Sequence, residues 1–281
     1  MQAQPPTPAT REAGDATAPG VVCLHSNASS ASQWRGLIDQ LAPDFHVFAP
    51  DSYDSGQSPS WPSDRVISLR DEVGLIEPVL ARAGSPCMLV GHSYGAAVAL
   101  LAAITHPGRV VGLALYEPTL FSLLGSNSSA PNDADGILET VARSADALDR
   151  GDSDAAARHF IDYWMGEGAW QRTPPARKPA IEAACKNVRR WAYALTTEPT
   201  PLAAFGALKV PVLLMTGRLS TRSAKGVARV LGATLAQVEV VEFEQLGHMG
   251  PVTHADVVNP VIARFLRRCT GLDLACCEAG L

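Results

Sequence analysis

The chain has 281 residues, of which 47% are hydrophobic and 18% are charged, and its formal net charge is −5. This composition supports a large buried core, excludes a disordered chain, and contains no Lys/Arg stripe that would indicate a nucleic-acid partner. No apolar run approaches the roughly 18–20 residues that span a bilayer, so we expect no membrane segment.

The N-terminus and the cysteines indicate a cytoplasmic protein. Residues 1–19 are rich in Pro, Ala and Thr and lack the apolar segment of a signal peptide, so we expect a flexible leader. Cys23 and Cys87 lie within apolar runs and are interpreted as small core residues. Cys269, Cys276 and Cys277 have no partner at metal-ligand spacing. We therefore expect neither a disulfide framework nor a metal site.

From residue 20 to residue 123, short apolar runs alternate with helical patterns, which is typical of βα units in a parallel sheet. The predicted strands are Val21–Leu24, His46–Ala49, Cys87–Val90 and Val110–Tyr116. The predicted helices are Ser32–Leu41, Leu69–Ala83 and Gly95–Thr105. Fully apolar strands require burial on both faces, so we expect helices on both sides of the sheet.

Residues 124–204 have a different character. They begin with the polar stretch GSNSSAPNDADG and continue into helical patterns such as Ile137–Arg150 and Ala155–Met165, with no β-like run. We predict a helical cap inserted between two strands. The strand pattern resumes at Val210–Thr216 and Val238–Phe243, and a last helix covers about Asp256–Arg268. The core would thus comprise residues 20–123 and 205–281.

The pentapeptide Gly91-His92-Ser93-Tyr94-Gly95 lies between the apolar run CMLV and the helical run AAVALLAAI. Gly-x-Ser-x-Gly at such a strand-to-helix turn is typical of a nucleophile elbow, in which the serine hydroxyl stands clear of the sheet. The hydroxyl would then lie at a helix N-terminus, where backbone N–H groups favour an anion. The alternative interpretation is an ordinary Gly/Ser-rich helix cap.

A serine hydroxyl needs a base, and His248 is the best candidate among seven histidines. It lies in a loop after the last predicted strand, and such loops gather at the same edge of a parallel sheet as Ser93. The side chain of His92 should point away from the nucleophile. His25 ends the first predicted strand and is expected to shape an adjacent loop. His46 lies in an apolar strand and is interpreted as a core residue.

The ordered set of these motifs resembles the α/β-hydrolase superfamily, over roughly residues 20–123 and 205–270. The set comprises Leu24-His25-Ser26-Asn27, Trp34, Ala49-Pro50-Asp51 with Gly56-Gln57-Ser58, GHSYG, and GHMGP near the end. It is most similar to cap-bearing bacterial hydrolases of the esterase, haloperoxidase and haloalkane-dehalogenase-like groups. The resemblance implies Ser93 as nucleophile, His248 as base, and an oxyanion hole formed by the backbone N–H groups of Tyr94 and Asn27. It makes Asp51 a structural residue.

Two features depart from the family pattern. The usual His-Gly before the oxyanion residue is His25-Ser26, and serine tolerates unusual backbone angles less well than glycine. The leader also looks too short and too polar for the antiparallel hairpin that often begins this sheet, so we expect about six strands.

The carboxylate that would orient the base, and so complete a Ser-His-acid catalytic triad, also has an unusual position in the sequence. The family usually places it after the strand VPVLLMTG, yet no Asp or Glu occurs from Gly217 through Val238. Some superfamily members carry it after the preceding strand, which here ends at Glu117. We therefore predict Glu117 as the acid, with a solvated loop glutamate as the alternative and Asp51 or Asp54 as weaker rivals.

The resemblance implies hydrolysis of a small, apolar carboxylic ester, with no metal, nucleotide or flavin cofactor. The cap aromatics Tyr163, Trp164, Trp170, Trp191 and Tyr193 either line the pocket or fill a helical core. Dehalogenases and epoxide hydrolases carry Asp in place of Ser93 and are disfavoured. Thioester hydrolysis, C–C bond hydrolysis and perhydrolysis would use the same residues and remain alternatives, as does a ligand-binding relative with little turnover.

Overall fold

A seven-stranded sheet forms the centre of the computed structural model, which describes residues 6–125 and 132–272. The strands are β1 (Thr10–Ala13), β2 (Gly20–Leu24), β3 (His46–Pro50), β4 (Cys87–His92), β5 (Val110–Tyr116), β6 (Val212–Gly217) and β7 (Val238–Phe243). Their spatial order is β1-β3-β2-β4-β5-β6-β7. Every neighbouring pair is parallel except β1 with β3. The carboxyl ends of six strands therefore share one edge.

Helices account for most of the remaining described chain. The α-helices are α1 (Arg35–Leu41), α2 (Leu69–Ala83), α3 (Tyr94–Thr105), α4 (Asp135–Asp149), α5 (Ser153–Met165), α6 (Ala169–Arg172), α7 (Lys178–Cys185), α8 (Val188–Thr196), α9 (Leu202–Gly206), α10 (Arg222–Thr234), α11 (Gly250–Thr253) and α12 (Ala255–Thr270). Short 3₁₀ helices cover Ala31–Trp34, Phe121–Leu124 and Pro175–Arg177.

The sheet is buried on both faces. Successive side chains of a strand point to opposite faces, and in β2 this alternation separates two hydrophobic clusters. Val22 and Leu24 belong to a cluster that includes α2 and α3, whereas Val21 and Cys23 belong to one that includes α1 and α12. The predicted fold class, a mostly parallel sheet with helices on both faces, is confirmed.

Strand β1 contradicts two of the predictions, those of the leader and of the number of strands. Residues 10–13 pair antiparallel with β3, beginning with Thr10 opposite Pro50. The prediction of a flexible leader over residues 1–19 is therefore wrong for these residues, and the expected six strands are seven. Backbone hydrogen bonding at a sheet edge does not require apolar side chains, and Arg11 and Glu12 both lie exposed to solvent. The carboxylate of Glu12 also contacts His46 Nε2 at 2.8 Å.

Between β5 and β6, the described residues form helices α4–α9 and no strand. Phe160 of α5 and Trp191 of α8 belong to the same buried cluster as α2 and α3. Strand β6 begins two residues later than predicted, because Pro211 has no N–H to donate to a neighbouring strand. Part of the predicted polar loop (residues 126–131) lies outside the described residues, as do Cys276 and Cys277.

Candidate active site

Ser93 occupies a sharp turn between β4 and α3, with a backbone φ of 57° and ψ of −115°. A positive φ is strained for a residue with a Cβ and persists only where the surroundings impose it. A Cβ on Gly95 would lie 2.3 Å from the carbonyl oxygen of Leu24, and one on Gly91 would lie 2.5 Å from the Cα of Ala96. The Ser93 side chain makes no capping hydrogen bond, unlike a serine that merely caps a helix.

His248 lies buried in the loop between β7 and α11, and its Nε2 is 2.9 Å from Ser93 Oγ. Two contacts hold this loop in place. The hydroxyl of Tyr116 donates to the carbonyl of Gly247 at 2.8 Å, and the ring Nε2–H of His92 donates to the carbonyl of His248 at 2.8 Å. The sheet thus brings together two side chains that are 155 residues apart in sequence.

Glu117 follows β5 directly, is fully buried, and has Oε2 2.7 Å from His248 Nδ1. Ser220 donates its hydroxyl to the same oxygen at 2.6 Å, while Oε1 accepts from the Gly217 N–H at 2.7 Å and the Thr216 hydroxyl at 3.0 Å. Burial alone would raise the pKa of Glu117, but the His248 ring and the surrounding donors hold that pKa below its ordinary value. The turn after β6 therefore supplies donors to a carboxylate rather than a carboxylate of its own.

The rival carboxylates make contacts elsewhere. Asp51 Oδ1 accepts from the Ala31 N–H at 2.6 Å and its Oδ2 from the Gln57 N–H at 3.0 Å, which ties two loops together. Asp54 forms an ion pair with Arg190 at 3.2 Å. Glu117 is therefore the carboxylate that the structure places against the ring of the predicted base.

Asn27 lies in the loop after β2 and lines the same cavity as Ser93. His25 holds this loop, since its Nδ1–H donates to the carbonyl of Ser26 at 2.7 Å and its Nε2 accepts from the Ser52 N–H at 3.0 Å. These contacts fit the expectation that His25 shapes the loop.

Tyr94 is the first residue of α3, next to Ser93. A helix leaves its first backbone N–H groups without intrahelical acceptors, so they favour an anion at this end.

The buried Tyr94 hydroxyl donates to Glu72 Oε1 at 3.3 Å, and Glu72 Oε2 accepts from the Tyr53 N–H at 3.3 Å. Burial raises the pKa of Glu72 to about 8. In sequence Glu72 looks like any acidic residue in the first turn of a helix.

A hydrogen-bonded chain links the loop after β2 to the loop that carries His248. Gln33 Oε1 accepts from both the N–H and the hydroxyl of Ser26, at 3.2 and 3.0 Å. The amide of Gln33 donates to His92 Nδ1 at 3.0 Å, and His92 in turn donates to the carbonyl of His248. Ser26, which stands where the family usually has glycine, therefore has a specific partner that sequence reasoning missed.

A cavity of about 270 Å³ opens onto Ser93 and His248. Its other walls come largely from α4, α5 and α8 and are mostly apolar. Of the five aromatic residues considered from sequence, Trp164 and Trp191 line the cavity. The other three do not: Tyr163 contacts Ser223, Trp170 donates its indole N–H to Asp154, and Tyr193 is half exposed.

Within residues 6–125 and 132–272, no group of three or more His, Cys, Asp or Glu side chains is arranged to hold a metal ion. In the same ranges, no helix has the length and apolarity that crossing a membrane requires.

The fold and this arrangement are those of an α/β hydrolase. A sequence model of the alpha/beta hydrolase family matches residues 21–261, and the chain belongs to that family. The chain is 24% identical to a haloalkane dehalogenase of Bradyrhizobium diazoefficiens, over 92% of this chain and 90% of that protein.

Two solved structures share the fold. MGS-M2, an alpha/beta hydrolase enzyme from a Medee basin deep-sea metagenome library, has a TM-score of 0.77 at 16% identity, with 92% of this chain and 93% of that chain covered. The 2-hydroxy-6-oxo-6-phenylhexa-2,4-dienoate hydrolase of Rhodococcus sp. strain RHA1 has a TM-score of 0.70 at 23% identity, with 94% and 98% covered. The expectation of an α/β hydrolase is thus confirmed.

Proposed function

We propose that this hydrolase cleaves carboxylic esters through a covalent acyl-enzyme, with Ser93 as nucleophile, His248 as base and Glu117 as acid. The observation that carries the proposal is the series of hydrogen bonds that joins Glu117 to His248 and His248 to Ser93, whose hydroxyl lines the cavity. Ser93 Oγ is 2.9 Å from His248 Nε2, and His248 Nδ1 is 2.7 Å from Glu117 Oε2. Both distances lie in the range of about 2.6–3.2 Å that proton transfer and orientation require.

In the proposed mechanism, Ser93 Oγ attacks the ester carbonyl while His248 Nε2 accepts its proton. Glu117 accepts the Nδ1–H, which keeps Nε2 free as the acceptor and stabilises the imidazolium that forms. The N–H groups of Tyr94 and Asn27 donate to the oxyanion of the tetrahedral intermediate. The alcohol leaves with the proton from His248, and water then attacks the acyl-enzyme by the same steps.

The helices between β5 and β6 would act as a cap over Ser93 and His248. Their side chains supply much of the cavity wall, including Phe160, Trp164 and Trp191. An apolar cavity with a few polar groups at one end suits a substrate with an apolar body and one reactive carbonyl. We therefore propose a small-molecule ester rather than a polymeric substrate.

The similarity to a haloalkane dehalogenase does not extend to its chemistry, because the superfamily members with that activity carry Asp where this chain has Ser93. A serine nucleophile with a histidine base is suited to acyl transfer. Thioesters, C–C bonds and peracid formation would engage the same three side chains, so the test includes thioester substrates beside esters.

The test is labelling with a fluorophosphonate together with turnover of p-nitrophenyl esters from acetate to palmitate and of the corresponding thioesters. Wild-type protein should be labelled at Ser93 and should release p-nitrophenol. Ser93→Ala should lose both, with turnover at least about 10⁴-fold lower and an unchanged melting temperature. Ser60→Ala, at an exposed serine, is the matched control. Labelling without ester turnover, or substantial activity in Ser93→Ala, would refute the proposal.

A further inference from the structure

The charged residues on the cavity wall are all basic. The charged side chains that line the cavity are Arg172 and Arg177, and no Asp or Glu is among the lining residues of the described chain. Arg172 ends α6 and Arg177 ends the following 3₁₀ helix. Two fixed positive charges therefore border a cavity whose other walls are mostly apolar.

These two arginines differ from Arg189 and Arg190, which lie in the same helical segment. Arg189 pairs with Asp149, and Arg190 pairs with Asp54. Within residues 6–125 and 132–272, neither Arg172 nor Arg177 forms an ion pair with a carboxylate. Arg172 donates one hydrogen bond to the backbone carbonyl of Glu167, which leaves most of its guanidinium donors available.

The residues that line the cavity differ in their exposure to solvent. Ser93 and His248 are buried, whereas Arg172 and Arg177 are exposed and still line the same cavity. The reactive hydroxyl is thus sheltered from solvent, whereas the two arginines belong to the solvent-exposed part of the cavity wall. Apolar residues that line the same cavity, such as Ile137, Val188 and Leu195, suit a hydrocarbon chain.

We infer that Arg172 and Arg177 bind an oxyanion carried by the substrate at the end remote from the scissile carbonyl. This inference rests on the proposed ester hydrolysis and narrows its substrate class to acyl compounds with an apolar body and a distal carboxylate or phosphate. A guanidinium matches either oxyanion with two parallel N–H donors.

Matched substrates test the inference and distinguish the two oxyanions. Monomethyl suberate carries a distal carboxylate that dimethyl suberate lacks. Methyl 8-phosphonooxyoctanoate carries a distal phosphate that methyl 8-methoxyoctanoate lacks. Wild-type protein should show a lower KM for the charged member of one pair, and the pair that responds identifies the oxyanion. The preference should shrink with added salt, because the arginines are exposed.

Arg172→Gln and Arg177→Gln should each raise the KM of the charged substrate by about two- to five-fold, and the double variant by about ten-fold. Values of kcat, and KM for the neutral member, should stay unchanged, because this contact is the same in the ground state and the transition state. Lys178→Gln is the control. It removes a neighbouring positive charge that lies over the Trp170 ring, 4.5 Å from its centroid, and does not line the cavity.

The outcomes separate the two proposals. Equal KM values for charged and neutral members in wild type, or a preference that survives in the double variant, would overturn the inference and leave ester hydrolysis standing. No turnover of any of the four substrates or of p-nitrophenyl butyrate would overturn the proposed function, and the inference with it.

Discussion

The indole of Trp164 stacks on the imidazole of His248, with ring centroids 3.9 Å apart and planes inclined by 26°. Trp164 comes from α5, in the segment inserted between β5 and β6, whereas His248 belongs to the core. The ring of Phe121 stacks on Trp164 at a centroid distance of 6.5 Å, and that of Tyr163 contacts it edge-on at 4.9 Å. The proposed cap therefore contacts the base itself.

This contact predicts a catalytic effect of Trp164. The face of an indole attracts a cation, and the proposed mechanism places positive charge on His248 in the transition state. Trp164→Leu should lower kcat/KM for p-nitrophenyl acetate by about 2- to 30-fold, and Trp164→Phe should lower it less. Trp191→Leu is the control, because Trp191 lines the same cavity and contacts the ring of Phe160 instead, with the ring planes tilted by 44°. Equal losses at positions 164 and 191 would indicate an effect on cavity shape alone.

A second prediction concerns pH and stability at Glu72. Burial, with repulsion from Asp54 and Asp71, raises the pKa of Glu72 from its ordinary value of 4.5 to about 8. Between these values the folded protein keeps a proton that the unfolded chain has lost, so stability falls as pH rises through this window. The stability that the protonated Glu72 side chain contributes is fully present below about pH 4.5 and is lost above about pH 8.

Glu72→Gln keeps the side chain neutral at every pH and should abolish this dependence. Each unit of pKa displacement corresponds to about 1.4 kcal/mol, so wild type should lose a few kcal/mol more than the variant between about pH 5 and about pH 9. Chemical denaturation of both proteins at the two pH values measures the difference. A constant stability difference between them would show that Glu72 titrates normally.

The sequence was sufficient to predict the parallel sheet and the Ser93 turn, because both depend on local signals. Apolar runs give the strands, and the glycines at 91 and 95 leave no room for a side chain. The position of His248 followed from topology, since loops at the carboxyl ends of parallel strands share one edge. Strand β1 was missed because an edge strand can be polar on both sides and is held by backbone pairing.

Contacts between distant side chains could not be predicted in the same way. The stack of Trp164 on His248 depends on how α5 is placed over the core, and the sequence pattern of an amphipathic helix does not specify that placement. Likewise, nothing in the sequence distinguishes Gln33 from an ordinary surface residue. Only the fold brings its amide nitrogen to 3.0 Å from His92 Nδ1. Ser26 was recognised only as a departure from the family pattern.

Gln33 should act as a positioning residue. Gln33→Leu breaks the hydrogen-bonded chain from Ser26 to the His248 loop, and a small displacement of a base costs about 10- to 100-fold in rate. We expect kcat to fall by that amount with KM nearly unchanged. Gln33→Glu retains acceptors for Ser26 but has no amide N–H for His92, so it separates the two contacts. Ser32→Ala, at an exposed neighbour in the same turn, should leave kcat unaltered. A rise in KM alone for Gln33→Leu would contradict a role in positioning the base.

The last prediction concerns Glu117. Its carboxylate accepts four hydrogen bonds, of which one comes from His248 Nδ1 and three come from the end of β6 and the turn after it. Glu117→Gln replaces one acceptor oxygen by an NH₂ donor, so the amide cannot accept from all four groups, and His248 loses the partner that fixes its tautomer. We expect kcat to fall by up to about 10⁴-fold, with KM for p-nitrophenyl butyrate changed little.

Loss of stability could mimic this result, because Glu117 is fully buried and has a φ of 44°, an unfavourable value for a residue with a Cβ. Two measurements separate the causes. Glu198→Gln makes the same replacement at another buried carboxylate, which accepts from Thr200 and does not line the cavity, and it should retain kcat. Circular dichroism and the melting temperature of Glu117→Gln then show whether the protein is folded at the assay temperature. Folded Glu117→Gln with near-normal kcat would mean that Ser93 and His248 act as a dyad, because the carboxylate at 2.7 Å would then contribute nothing to the orientation of the base.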